Sequence, residues 1–221
     1  MSTPTQDLPN LFFEPVNVMP GVWLLPNFVQ PELLNEALAE VVASAPVRHM
    51  KTPRGFVMGV AMTNCGECGW VSDRRGYRYA ERDPESGKPW PEMPEPFSSA
   101  AIAAAQVCGF AGFEPDVCLI NRYPVGKGMG AHQDRDEQDL DQPIVSISLG
   151  LPARFFMVGP ERRGRSTPID VVDGDVVVFG GPARLHYHGV RPVKPGHHAE
   201  HGAFRWNLTF RCARVPGPAA P

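Results

Sequence analysis

Long hydrophobic runs are missing from this sequence. No apolar stretch in its 221 residues approaches the roughly 18 that a membrane-crossing helix needs, so the chain is expected to be soluble. A positive excess is missing too. The formal net charge is −3 and the isoelectric point near 6.2, which excludes a global basic field pulling the protein onto nucleic acid; any such partner must be met by local contacts. Cysteine is sparse: Cys65, Cys68, Cys108, Cys118 and Cys212 are an odd number, behind an N-terminus without a cationic-then-apolar leader. That pattern predicts a reduced, cytoplasmic compartment and no disulfide framework. Internal repeats and strong linkers are also lacking. One domain over 1–215 is expected, with the proline-rich tail at 216–221 disordered.

What is present falls into helical spacing first and strand spacing later. The stretch to about Phe28 reads as a leading arm with one short strand, carrying Leu11, Phe12, Phe13, Val22, Trp23 and Leu24. From Pro31, apolar residues recur at Leu34, Ala37, Leu38, Val41 and Val42, which predicts a helix; a proline is tolerated in its first turn because its missing N–H has no partner there anyway. Phe56–Met62 reads as a strand, and the Gly, Arg and aromatic residues from about Met50 to Trp90 as a surface flap that meets a partner. A second helix is predicted over Phe97–Gly109, with Gly109 stopping it.

After Pro115 the period changes to two. In Val117–Tyr123 the alternation puts Val117, Leu119, Asn121 and Tyr123 on one face. Ile144–Leu151 and Phe155–Val158 read as strands, and Asp173-Gly174 as a hairpin-type turn into Val176–Phe179. The last strand has the cleanest pattern: Phe204, Trp206, Leu208 and Phe210 on one side, Arg205, Asn207, Thr209 and Arg211 on the other. Two arginines and an asparagine turned inward call for an anion. Two helices followed by many short strands predict an α+β chain, helices packed on a double-stranded β-helix (jelly-roll) barrel that holds ligands at its mouth.

The chemistry-bearing residues cluster in the second half. His132 and Asp134 are two apart, so in extended backbone both project to one side and can bind one metal ion. A second histidine completes the two-histidine, one-carboxylate set of a mononuclear ferrous oxygenase, which leaves open positions on the metal. His186 and His188 both qualify by spacing. His197, His198 and His201 lie beside Pro195-Gly196 and read as solvated loop residues. Cys65 and Cys68 lack the second ligand pair of a structural zinc site and read as ordinary thiols in a loop. A later arginine on a polar strand face supplies the charge-assisted pair that the far carboxylate of a dicarboxylate cosubstrate needs.

The stretches Asn121-Arg122-Tyr123, His132 to Glu137, Pro143 to Pro152, Tyr187-His188-Gly189 and Asn207 to Arg211 resemble the bacterial AlkB family of alkylated-nucleobase demethylases. Met62 to Gly66 with Gly69-Trp70 does so too, and the match runs from about Ser44 to Cys212. The resemblance implies that His132, Asp134 and His188 bind Fe(II), and that Asn121, Tyr123, Arg205, Asn207 and Arg211 surround 2-oxoglutarate. It implies a nucleotide-recognition lid over about 50–90, with Met62, Trp70, Tyr77 and Arg78 near a flipped nucleotide, Asp136 at the damaged base and Arg162 at the substrate rim. The implied reaction uses O₂ and 2-oxoglutarate to demethylate 1-methyladenine or 3-methylcytosine, releasing formaldehyde, succinate and CO₂. Single-stranded or duplex DNA is the implied partner, RNA a further one, and the protein a monomer. The base must leave the stack to be reached, and Arg74, Arg75, Arg78, Arg162, Arg163 and Arg165 could supply phosphate contacts. His186, the run Gly128 to Ala131 and Trp206 depart from the family pattern. An oxygenase acting on RNA, protein or a small molecule, and a non-catalytic nucleic-acid-binding barrel, are the alternatives.

Overall fold

Strict alternation in the last strand decides how the molecule is layered. In the computed structural model, which describes residues 14–214, Trp206, Leu208 and Phe210 join the core beneath the helices, while Arg205, Asn207, Thr209 and Arg211 face the opposite way and are all buried. Leu11, Phe12, Phe13 and the tail at 216–221 lie outside the described residues.

The chain runs β1 (Val16–Met19), β2 (Val22–Leu25), α1 (Pro31–Ser44), β3 (Ala61–Gly66), β4 (Gly69–Asp73), β5 (Gly76–Ala80) and α2 (Glu95–Val107). It continues through β6 (Val117–Pro124), β7 (Met129–His132), β8 (Ile144–Gly150), β9 (Ala153–Gly159), β10 (Thr167–Val171), β11 (Val176–Phe179), β12 (Tyr187–Val190) and β13 (Phe204–Arg211). A large sheet in the order β1-β2-β11-β8-β13-β6-β3 and a smaller one, β10-β9-β12-β7, form the jelly roll; β4 and β5 pair as a separate hairpin.

Both helices cover the large sheet. Helix α1 buries Leu34, Ala37, Leu38 and Val41, and α2 buries Phe97, Ala101, Ala104 and Ala105. Phe97 meets Phe210 edge to face at 6.1 Å; burying such a ring is worth about 1.5–3 kcal/mol. Gly109, at φ +89°, ends α2 as expected, because left-handed backbone there costs glycine no side-chain clash. The second core lies between the sheets, where Leu119, Tyr123, Phe155, Met157, Val177 and Phe179 pack.

Several expectations need correction. Asp173-Gly174 is not a hairpin turn: β10 pairs with β9 in the small sheet and β11 with β2 and β8 in the large one, so the turn carries the chain across the barrel. Its conformation is fixed by backbone bonds to Ser148 and by the Asp175 carboxylate, which accepts from Asn27 and Val172. The strand expected at Phe56–Met62 begins instead at Ala61 and extends through Thr63, Asn64 and Cys65, because Thr63 and Asn64 satisfy their polar groups on Ala45 and Trp70. Cys65 is therefore a buried strand residue opposite Cys118, not a loop thiol. The arm carries two paired strands rather than one. His198 and His201 are not merely solvated: they stack at 5.2 Å, His198 reaches Asp173 and His201 reaches Asn35, so they fasten the loop before β13 to α1.

Candidate active site

Strand pairing builds the site. His132 at the end of β7 and His188 in β12 are direct cross-strand partners, and such side chains leave the sheet together. Their ring centroids are 4.5 Å apart. Each ring is tethered the same way: Nδ1 of His132 donates to Gly130 O at 2.9 Å, and Nδ1 of His188 to His186 O at 3.1 Å. A carbonyl only accepts, so Nδ1 carries the proton in both and Nε2 is left with its lone pair.

Those nitrogens converge on Asp134. His132 Nε2 lies 3.8 Å from Oδ1 and His188 Nε2 3.8 Å from Oδ2, and one donor atom from each residue falls within 4.8 Å of the other two. Two imidazole nitrogens and a carboxylate on one side of a point fit a divalent iron-type ion with open positions on the other. His186, which spacing alone could not separate from His188, is not part of this group; its carbonyl serves as the tether.

Electrostatics favour a metal. Burial, together with His132, pushes the His188 imidazole down to about 4, so it is neutral and can donate electrons. Burial on its own would raise the Asp134 carboxyl, but the Arg211 guanidinium outweighs it and holds the group below the ordinary carboxylate range. Phe155 and Phe179 pack against the His188 ring at 5.6 and 4.8 Å, excluding water from that side.

The triad opens into a cavity of about 580 Å³. Asn121 and Tyr123 from β6, and Asn207 and Arg211 from β13, line one wall; Met62, Trp70, Tyr77, Asp136 and Arg162 line the rest. Arg205 is not in the lining. It is 1% exposed, with its guanidinium carbon 5.1 Å from the Tyr123 ring and Nη2 donating to Ser148 at 2.9 Å. Among the described residues, Nε and Nη1 of Arg205, Nη1 of Arg211 and Oδ1 of Asn121 are buried without a partner in hydrogen-bond geometry. Buried guanidinium donors left unmatched are costly unless an anion completes them, which marks these two arginines as candidates for holding an anionic ligand.

The β4–β5 hairpin contributes Trp70 and Tyr77 to the cavity lining. Trp70 and Tyr77 stack with centroids 5.5 Å apart and planes 13° apart, and Trp70 Nε1 donates to Asp136 Oδ2 at 2.9 Å. Arg78 points elsewhere, paired with Asp73 on the same hairpin at 2.8 Å, and Trp206 packs toward Arg122 and His201 rather than the cavity. The span 50–90 includes β3, an edge strand of the large sheet, and of this span the loop before β3, Met62 and the hairpin residues Trp70 and Tyr77 line the cavity.

Sequence reasoning missed Glu137 and Arg184. Both are nearly inaccessible, and Arg184 donates to the Asp134 backbone carbonyl at 2.6 Å and to Glu137 at 3.1 Å. Glu137 sits in an acidic run, Asp134 to Asp141, that reads as a solvated surface; no signal in the pattern singles it out.

The chain from 21 to 211 matches the model of the 2OG-Fe(II) oxygenase superfamily. It is 49% identical over 196 residues to the alpha-ketoglutarate-dependent dioxygenase AlkB of Salmonella typhimurium, covering 88% of this chain and 91% of that one. Identity to the Escherichia coli K12 enzyme of the same name is 48%, over 84% and 86% of the two chains. The solved structure of OsALKBH1 superposes with a TM-score of 0.78 at 27% identity, over 90% of this chain and 99% of that one. With its histidine–aspartate–histidine cluster and jelly-roll fold, the chain belongs to the AlkB family of Fe(II)- and alpha-ketoglutarate-dependent dioxygenases.

Proposed function

We propose that this dioxygenase repairs alkylated DNA, taking N-methyl groups from bases such as 1-methyladenine and 3-methylcytosine in single-stranded or duplex DNA, and acts on RNA as well. The observation that carries the reading is the pairing, across one cavity, of a metal-type triad with an aromatic and acidic mouth built from Trp70, Tyr77 and Asp136. The AlkB relatives and a mouse relative named nucleic acid dioxygenase ALKBH1, 32% identical over 57% of this chain, point the same way.

In this reading His132, Asp134 and His188 hold Fe(II). Arg205, whose guanidinium has donors without acceptors, takes the far carboxylate of 2-oxoglutarate, and Asn121, Tyr123, Asn207 and Arg211 border the same ligand. With both bound, iron and 2-oxoglutarate supply an O₂-driven oxidation that releases the methyl carbon as formaldehyde, with succinate and CO₂ as coproducts. The protein's own work is orientation. Trp70 offers a face for an extruded base, Asp136 an anion for the positive charge of a methylated one, and Met62, Tyr77 and Arg162 border the nucleotide. Arg78, held on Asp73 and absent from the cavity lining, suits a phosphate rather than the base.

Five free, buried cysteines support a reduced, cytoplasmic setting, and no helix among the described residues is long and apolar enough to cross a membrane. One domain over 1–215 acting as a monomer, with a lid over about 50–90, completes the reading.

Formaldehyde release from a 1-methyladenine oligonucleotide with Fe(II), 2-oxoglutarate and O₂ tests it, beside His132→Ala and His188→Ala. Release by the native protein alone supports the demethylase and its triad together. Release only from methylated RNA moves the substrate; succinate formation without any formaldehyde from either nucleic acid removes the demethylase reading.

A further inference from the structure

Trp70 on β4 and Tyr79 on β5 are direct cross-strand partners, so both side chains leave the same face of the hairpin. They end on consecutive carboxylates. Trp70 bonds Asp136 in an exposed setting, whereas the Tyr79 hydroxyl donates to Glu137 Oε1 at 2.5 Å in a part-buried one. The hairpin is thus tied to the segment just after the metal ligand by one solvent-facing bond and one sheltered bond.

The sheltered bond leads further. Glu137 Oε2 accepts from Arg184 Nη2 at 3.1 Å, and Oε1 lies 3.3 Å from Arg211 Nε. Both arginines continue to Asp134: Arg184 Nη1 to its backbone carbonyl at 2.6 Å, Arg211 Nε and Nη2 to Oδ2 at 3.1 and 2.7 Å. Glu137 is accordingly shared by the hairpin and by both guanidiniums that hold Asp134, Arg184 on its backbone carbonyl and Arg211 on its carboxylate. Its side chain is 2% exposed, so while the hairpin stays down no water replaces a partner it loses.

We propose that Glu137 is a positioning residue which couples docking of the β4–β5 hairpin to the orientation of Asp134. The proposal rests on the reading of His132, Asp134 and His188 as metal ligands. While the hairpin is down, Tyr79 occupies Oε1 and Arg211 turns its two donors to Asp134. When the hairpin lifts, Oε1 loses its hydroxyl and competes for Arg211 Nε, drawing it off Asp134 Oδ2. A firmly oriented carboxylate then exists only under a docked hairpin, which ties a competent metal centre to a covered cavity.

Tyr79→Phe deletes one hydroxyl and nothing else, and Glu137→Gln removes the shared charge while keeping the shape. Affinity for Co(II) and its visible absorption spectrum, recorded without nucleic acid, read the metal site directly. Groups that orient metal ligands typically account for about 10–100-fold in affinity; a loss of about tenfold is expected for Tyr79→Phe, a larger one for Glu137→Gln, and a shifted Co(II) band in both. Combining the two should weaken binding no more than Glu137→Gln does, because the hydroxyl acts through that carboxylate. An unchanged affinity and spectrum in Tyr79→Phe overturns the proposal even if Glu137→Gln fails to fold, and so do additive losses in the combination. Formaldehyde release by the native protein is followed in parallel: Co(II) binding with these variant effects but no demethylation refutes the substrate reading and leaves the coupling in place.

Discussion

Arg211 holds Asp134 with two nitrogens on one oxygen: Nε and Nη2 both donate to Oδ2, and Oδ1 is left toward His132. The grip matters because Asp134 is buried, and a carboxylate in that position needs a cation to stay ionised. Arg211→Met strips that cation from Asp134 and Glu137 at once. Breaking a buried pair in this way costs about 3–5 kcal/mol, to be read from urea unfolding of the metal-free protein. A loss under about 1 kcal/mol, the range of exposed pairs, refutes the assignment.

Arg205 separates cosubstrate binding from metal binding. Arg205→Lys keeps a positive charge but loses the planar fork that meets a carboxylate with two bonds. The expected result is 2-oxoglutarate affinity reduced by about tenfold or more, equivalent to about 1.4 kcal/mol, with Co(II) affinity unchanged because Arg205 touches Tyr123 and Ser148 rather than the triad. Equal loss of both would place Arg205 in the metal site instead.

Nucleic-acid binding should depend on a few exposed arginines, since the net charge is −3. Arg162 lines the cavity, Arg163 and Arg165 are exposed in the same segment between β9 and β10, and Arg74 and Arg75 are exposed at the hairpin tip. Replacing the first three with Ala should weaken oligonucleotide binding and flatten its salt dependence by about 0.7–0.9 for each phosphate no longer neutralised. Binding with an undiminished salt slope counts against this patch.

The loop before β13 carries a pH dependence of its own. Burial, then His198, holds the His201 imidazole below its ordinary pKa, so from about pH 6.5 downward the unfolded chain takes up a proton that the folded one refuses. Stability is full above that value and lost as pH falls toward the depressed folded pKa. His201→Gln keeps a donor for Asn35 without titrating. The fall in Tm between pH 7.5 and pH 5.5 should be smaller in this variant than in the native protein; an identical fall shows that other groups set the slope.

The sequence was most legible where one physical requirement governed each residue. Alternation in β13 had to satisfy a hydrophobic layer under the helices and a polar interior, and it predicted both faces correctly. His132 and Asp134 were readable from their spacing, although β7 ends at His132 and Asp134 reaches the same side from just beyond the strand. Legibility failed where a tertiary contact replaced a local rule. Thr63 and Asn64 look like loop residues until Ala45 and Trp70 are seen to satisfy them. Asp173-Gly174 has the composition of a hairpin turn, yet which sheet each flanking strand joins is decided by pairing partners distant in the chain. Choosing His188 over His186 needed either a resemblance or a geometry. Glu137 was hidden altogether, because burial beside Tyr79 and Arg184 leaves no periodic trace.

The tether of each imidazole to the carbonyl two residues before it makes the metal site a test of assembly. Ring orientation travels with β7 and β12 themselves, so a slip of one residue in their pairing would turn a ring and its tether to the other face together. The histidines come from distant parts of the chain, and the arginine that steadies Asp134 comes from β13, the last strand. A growing polypeptide therefore offers iron no complete home until β13 has been made and threaded between β6 and β8.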